Sequence, residues 1–346
     1  MGTQTNDDEQ NHLWIKEMKE EDRVRGLYLV KVKKVGTTKN GDPFLSITLG
    51  DRTGEVEARV WDKVDTLSPL FNEGDVIQVE GHAGAYRNQV QVTLTDIEVP
   101  KDRTTDPDLF LESSRKDVTE MIGALRGVLQ EIESGYIRSL VERFLSDRQF
   151  LRRFKRAPAA KNFHHNYLGG LLEHTLSVCQ VCRYVIEHYP ELDKDMMLAG
   201  GFLHDIGKTK ELRFDRVIDY SDEGRLLGHV VLGIGMVDEK LADIKDFPQE
   251  LAVRLKHLII SHHGQFEFGS PKRPKFLEAF ALHLIDDLDA KMNGLGRFME
   301  KDRMEGDWTE FNRLFDRYFL KGRIPEREKN GEVGLPEDDR QRALFS

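Results

Sequence analysis

Cysteine is scarce in this 346-residue chain, which has two, Cys179 and Cys182. Two thiols cannot make a disulfide framework, so a reducing, cytoplasmic setting is expected. Long apolar runs are also missing, and none approaches the length that spans a bilayer, so no membrane association is expected. The N-terminal MGTQTNDDEQN has neither the basic start nor the apolar core of a signal peptide. Positive charge is in deficit: 51 Lys and Arg face 61 Asp and Glu, a net charge of −10. That argues against coating nucleic acid by bulk charge, yet leaves room for a local basic path, because steering depends on where charge sits. What is present, 39% hydrophobic and 32% charged residues, describes a soluble globular protein. The length allows two domains.

Residues 1–12 are polar and acidic and are expected to be disordered. Short alternating segments follow, at Val24–Val35, Phe44–Leu49, Glu55–Trp61, Asp75–Ala83 and Gln89–Val99. Asn40-Gly41 and Asp51–Gly54 mark turns between them, and Asp62–Phe71 reads as a short helix. Five strands with a helix between the third and fourth match the order of an OB-fold over residues 13–100. With the stretch GDRTGEVEARVWD (Gly50–Asp62), this region resembles the nucleic-acid-binding OB domains attached to RNA and DNA enzymes. Such domains stack bases on aromatics while basic groups follow the phosphates. Phe44, Arg59, Trp61, Tyr86 and Arg87 are the candidates, with strand cover or core as the alternative role for Phe44 and Trp61.

Residues 101–113, beginning KDRTTDP, read as a linker. Helical periodicity then takes over and strand signals nearly vanish. Connecting helices are expected over 114–160 and a helical bundle over 161–321, ending in a helix near Thr309–Leu320, with a mobile tail over 322–346. The expected fold is thus multi-domain α and β: a five-stranded barrel followed by an all-α bundle.

Nine of the twelve histidines fall between His164 and His263. Five segments stand out: LLEHTL with His174, LHDIGK with His204 and Asp205, LLGHVVLG with His229, IISHHG with His262 and His263, and HLIDDLDAKM with Asp286. They are spaced 30, 25, 33 and 23 residues apart, each about one helix plus a connection. That puts every candidate on a different helix of a bundle, which is how bundles build metal sites. Each segment is apolar around its ionisable residue, and a metal would relieve the cost of burying such groups.

The order H, HD, H, HH, D resembles the HD-domain metal-dependent phosphohydrolases. With the OB-like region in front, the chain resembles the YhaM-type 3′→5′ exoribonucleases, notably in HHNYLGGLLEHT, GGFLHDIGK, SHHG and LDAKMN. The resemblance implies that His174, His204, Asp205 and Asp286 hold one divalent ion, with Asp205 bridging to a second held by His229, His262 and His263. Manganese is the expected metal, with Co, Fe or Zn as alternatives. Among Asp286, Asp287 and Asp289, the family pattern favours Asp286. Asp205 and Lys208 are the catalytic candidates, Lys208 as a donor to the phosphate. His164 and His165 lie in a family motif and are candidates for substrate contact. The implied activity is exonucleolytic hydrolysis of single-stranded RNA, with single-stranded DNA as a further substrate, to 5′-mononucleotides.

Two basic runs adjoin these motifs: RQFLRRFKRAPAAKNFHH, with Arg152, Arg153, Lys155 and Arg156, and PKRPK, with Lys272, Arg273 and Lys275. Charge runs usually form solvated faces, but in an acidic chain these suit a path for a polyanion. Cys179-x-x-Cys182 has no second pair and is expected in mid-helix as core. Two rival functions stay open, hydrolysis of small nucleotides or cyclic dinucleotides, and nucleic-acid binding around a structural metal. A homo-oligomer is compatible with either.

Overall fold

The structure, a computed structural model, describes residues 12–86, 89–100 and 107–322. The expectations for residues 1–11, for Arg87, for residues 101–106 of the linker and for the tail from 323 lie outside these.

The five alternating segments form a closed barrel in the order β1-β2-β3-β5-β4: β1 (Arg23–Thr37), β2 (Pro43–Asp51), β3 (Gly54–Val60), β4 (Val76–Tyr86) and β5 (Gln89–Glu98). A helix, α1 (Val64–Leu67), lies between β3 and β4, as the sequence pattern predicts. The 15-residue β1 serves two neighbours, pairing β4 from Arg23 to Leu29 and β2 from Leu29 to Thr37. A register irregularity between Val30 and Val32 lets it bend from one to the other. Closure comes from the parallel pairing of β3 with β5, from Glu57↔Gln91 to Arg59↔Thr93. Alternate residues such as Leu45, Ile47, Leu49, Val56, Ala58, Ile77, Val79, Val92 and Leu94 fill the interior. Leu27, Leu29 and Val76 are capped instead by Leu109 and Phe110, just beyond the undescribed linker residues.

The remainder is helical: α2 (Val118–Leu129), α3 (Gly135–Ser146), α4 (Arg148–Phe154), α5 (Gly170–His188), α6 (Lys194–Leu203), α7 (Lys208–Glu211), α8 (Asp222–Ala242), α9 (Gln249–Ser261) and α10 (Leu277–Lys301). Their starts follow from side-chain caps. Asp117, Ser134, Asp147, Asp193 and Ser221 each accept a backbone N–H of the first turn of α2, α3, α4, α6 and α8. One apolar core joins these helices, with Phe144, Phe154, Phe202, Leu203, Leu255 and Leu282 at its centre. Cys179 and Cys182 lie in it, fully buried, as expected.

Two local expectations need correction. A two-stranded hairpin, β6 (Leu212–Phe214) with β7 (Ile218–Tyr220), sits between α7 and α8. Its strands are too short to leave a periodic signal. The helix expected near Thr309–Leu320 is absent: the chain doubles back there through the bridges Trp308↔Leu320 and Asn312↔Arg317. The Asn312 side chain accepts the N–H groups of Leu314 and Phe315, and Asp316 takes a positive φ of 54°, so a turn replaces the helix. This segment belongs to the second of two compact units, which divide between Gly294 and Leu295. Among the described residues no helix is long and apolar enough to cross a membrane.

Candidate metal centre

The HD pair sits where α6 ends. His204 is the residue after its last turn, and its N–H still bonds Gly200 O at 2.9 Å. The chain then turns through Gly207 into α7. A Cβ on Gly207 would lie 1.9 Å from the carbonyl oxygen of His229, so only glycine lets these two segments, each carrying candidate ligands, touch. His229 itself follows Gly228, whose φ of 71° interrupts α8 and redirects the next side chain. His174 comes from α5, His262 and His263 from the end of α9, and Asp286 from α10.

These residues meet. His174, His204 and Asp286 offer ligand atoms within 4.8 Å of one another, and so do His229, His262 and His263. Asp205, 1% exposed, lies between the two groups. Its Oδ2 is 3.5 Å from His174 Nε2 and 3.4 Å from His204 Nε2, while its Oδ1 is 3.6 Å from both His229 Nε2 and His262 Nε2.

The five imidazoles of these two groups share one arrangement. Nδ1 is paired with Asp289 in His174 (2.7 Å), Gly201 O in His204 (2.9 Å), Glu211 in His229 (3.1 Å), Ile259 O in His262 (2.6 Å) and Phe268 O in His263 (2.9 Å). An acceptor at Nδ1 fixes the proton there and turns the Nε2 lone pair inward. Asp205 Oδ1, His229 Nε2 and His262 Nε2 are buried without any hydrogen-bond partner. Orphaned donor atoms of this kind, converging from both sides on one carboxylate, fit a divalent cation.

The electrostatics agree. Burial opposes a charge on His174, but the carboxylates of Asp205, Asp286 and Asp289 outweigh it and push its pKa well up. The proton so held on His174 is one that a bound cation would displace, since metal binding to imidazole releases it. Burial and the neighbouring His263 hold His262 far below the usual imidazole value, and burial with His229 pushes His263 down to about 4. Both are therefore neutral, as ligands must be. Burial alone would raise Asp205; Lys208 and His204 outweigh it and keep it ionised. Lys208 Nζ donates to Asp205 Oδ2 at 2.6 Å, so its ammonium stands beside the cluster.

The three aspartates of IDDLDA separate cleanly. Asp286 Oδ1 is 3.2 Å from His174 Nε2, whereas Asp287 is turned outward to pair with Lys291. Asp289 stands behind His174, where it also meets His165 Nε2 at 3.0 Å and accepts the Ser177 hydroxyl. Asp289 and Glu211 are supporting groups that the sequence reading missed. Asp289 had a signal, since residues three apart share a helix face; Glu211 had none.

The other candidates fall into two sets. His165 is spent on Asp289, Tyr167 and Asn293, which makes it part of the support for His174. Arg153 donates to Thr209 O and Leu212 O, and Arg156 pairs with Asp108, so both hold the fold together. His164 differs: both ring nitrogens are buried without a partner, and burial followed by the Lys208 charge pushes its pKa down to about 3. Its ring centroid is 5.5 Å from that of His174. Arg152 and Lys272 are exposed, and Arg273 lies over the Phe266 ring at 4.9 Å. On the barrel, Phe44 and Trp61 have ring centroids 5.3 Å apart, and Arg59 lies 5.3 Å over Phe44. Trp61 is 48% exposed, and Tyr86, at the end of β4, is 54% exposed.

Comparison with known proteins follows the same division. A family described as the HD domain matches residues 171–291, and one described as an OB-fold nucleic acid binding domain matches residues 28–100. The 3′-5′ exoribonuclease YhaM of Oceanobacillus iheyensis is 36% identical over 308 residues, covering 88% of this chain and 95% of that protein. The protein of the same name from Bacillus subtilis is 34% identical over 290 residues, covering 84% of this chain and 91% of that one.

Proposed function

The chain belongs to the YhaM family of 3′-5′ exoribonucleases, and from that premise we propose that it shortens single-stranded RNA with two divalent ions, releasing 5′-mononucleotides. It is a metal-dependent hydrolase. The two-ion reading is supported by Asp205, whose oxygens face separate histidine groups. In this reading His174, His204 and Asp286 would hold one ion, His229, His262 and His263 the other, and Asp205 would serve both. Manganese is the working choice for a set of imidazoles and carboxylates that Co, Fe and Zn also accept.

Bound divalent ions activate water and neutralise phosphate charge. The chain's own groups do the rest. The Nδ1 acceptors keep each imidazole aimed inward. Lys208 donates to a non-bridging phosphate oxygen, stabilising the charge that grows as the linkage breaks. His164, with two unpartnered nitrogens beside His174, contacts the terminal nucleotide. Arg152, Lys272 and Arg273 follow the backbone. Phe44, Arg59, Trp61 and Tyr86 hold the strand on the barrel, and single-stranded DNA offers the same stacking faces. A cytoplasmic setting and self-association are consistent with this role.

The decisive test is purified protein with Mn²⁺ on 5′-labelled single-stranded RNA. A ladder of shortening products that vanishes with Asp205→Ala is expected. Intact RNA beside hydrolysed cyclic dinucleotide would instead make the protein a small-nucleotide phosphohydrolase, and tight binding without cleavage would make the site structural.

A further inference from the structure

Immediately after SHHG the chain makes a short 3-10 turn, Phe266–Phe268, and puts both phenylalanines outward, 56% and 64% exposed. Two large aromatics this bare on one three-residue turn are not part of the core, and neither belongs to the ligand set. The turn is nonetheless held firmly. The carbonyl of Phe268 accepts from Nδ1 of His263 at 2.9 Å. Ser270, 3% exposed, has its hydroxyl within hydrogen-bond distance of Ile260 O (3.1 Å) and Lys272 O (2.7 Å). The N–H of Lys275 donates to His257 Nε2 at 3.1 Å. Charge is concentrated on the same loop: residues 265–275, QFEFGSPKRPK, carry three basic groups and one acidic one in a chain of net charge −10. The Arg273 guanidinium lies over the Phe266 ring, 4.9 Å from its centroid.

We propose that Phe266 and Phe268 are a base-stacking platform for the 3′ end of the strand, next to the metal centre. The inference rests on the exoribonuclease reading and adds to it an element beside the metal centre that stacks on bases. Exposed rings coupled to Arg and Lys are what a single strand offers contacts to, a π-face for each base and a phosphate for each linkage. Because Phe268 also supplies the acceptor for His263, the platform is fixed to one of the candidate ligands by a single hydrogen bond. A stacked base therefore sets the height of the backbone over the cluster.

The test measures binding of fluorescein-labelled, phosphorothioate-linked single-stranded RNA to the manganese-loaded protein by anisotropy. For Phe266→Ala with Phe268→Ala, Kd should rise about tenfold for each ring removed. Phe266→Tyr with Phe268→Tyr should keep the affinity of the original protein. A strand abasic at its 3′ end should bind the original and the alanine variant alike. Equal Kd values on the ordinary strand, or the same loss on the abasic one, would overturn the proposal. The exoribonuclease reading fails on a different result: the unmodified protein binds the ordinary phosphodiester strand but does not shorten it.

Discussion

Nδ1 of His174 lies 2.7 Å from Oδ2 of Asp289, a residue 115 positions further along the chain. His174 is fully buried, so this carboxylate alone decides which ring nitrogen faces the cluster. Asp289→Asn should lower metal affinity by about 10- to 100-fold while leaving every proposed ligand in place. Competition against a fluorescent chelator measures it. Asp287→Asn, which removes only an exposed pair with Lys291, should change nothing.

Gly207 offers a sharper structural test. Adding one methyl group there places carbon 1.9 Å from the His229 carbonyl, and backbone cannot move aside as a side chain can. Gly207→Ala should cost about 1–3 kcal/mol in urea denaturation. Gly235→Ala, in α8 with nothing near its Cβ, should instead stabilise by up to about 1 kcal/mol.

The Cys179 and Cys182 thiols should be silent in the folded protein. Burial pushes Cys182 up to about 12 and Cys179 well above its ordinary value, so neither forms thiolate near neutrality. A disulfide reagent that reads free thiols should report none in buffer and both in guanidinium. Rapid reaction of the native protein would contradict the core role.

Trp61 tests the barrel face. Its half-exposed ring means that Trp61→Ala should change stability by no more than about 0.5 kcal/mol. Affinity for long single strands should nevertheless fall about tenfold, if bases stack beside Phe44. Parallel binding and unfolding curves separate the two effects.

Much of this centre was legible because its residue types are costly to bury. A histidine or aspartate amid leucines announces a partner, and five such segments in order left few arrangements. The supporting groups were less legible. Glu211 meets His229 across a hairpin that three-residue strands form without a periodic signal. Arg153 and Arg156 looked like a path for phosphates, yet their donors are used on Thr209, Leu212 and Asp108, contacts that no local pattern encodes. The spacing of Trp308, Phe311, Leu314, Phe315, Tyr318 and Phe319 imitates a helix, but the turn chemistry of Asn312 and Asp316 prevails there.

Among the described residues, the parallel pairing of β3 with β5 closes the ring, so each of the five strands has a neighbour on both sides. An added strand would find little free main chain in this ring, which lowers the risk of edge-to-edge aggregation and disfavours peptides that bind by strand addition. Recognition on this domain then falls mainly to side chains and loops. In the proposed reading, its preference among strands can therefore evolve at Phe44, Arg59 and Trp61 while the hydrogen-bonded frame beneath them stays unchanged.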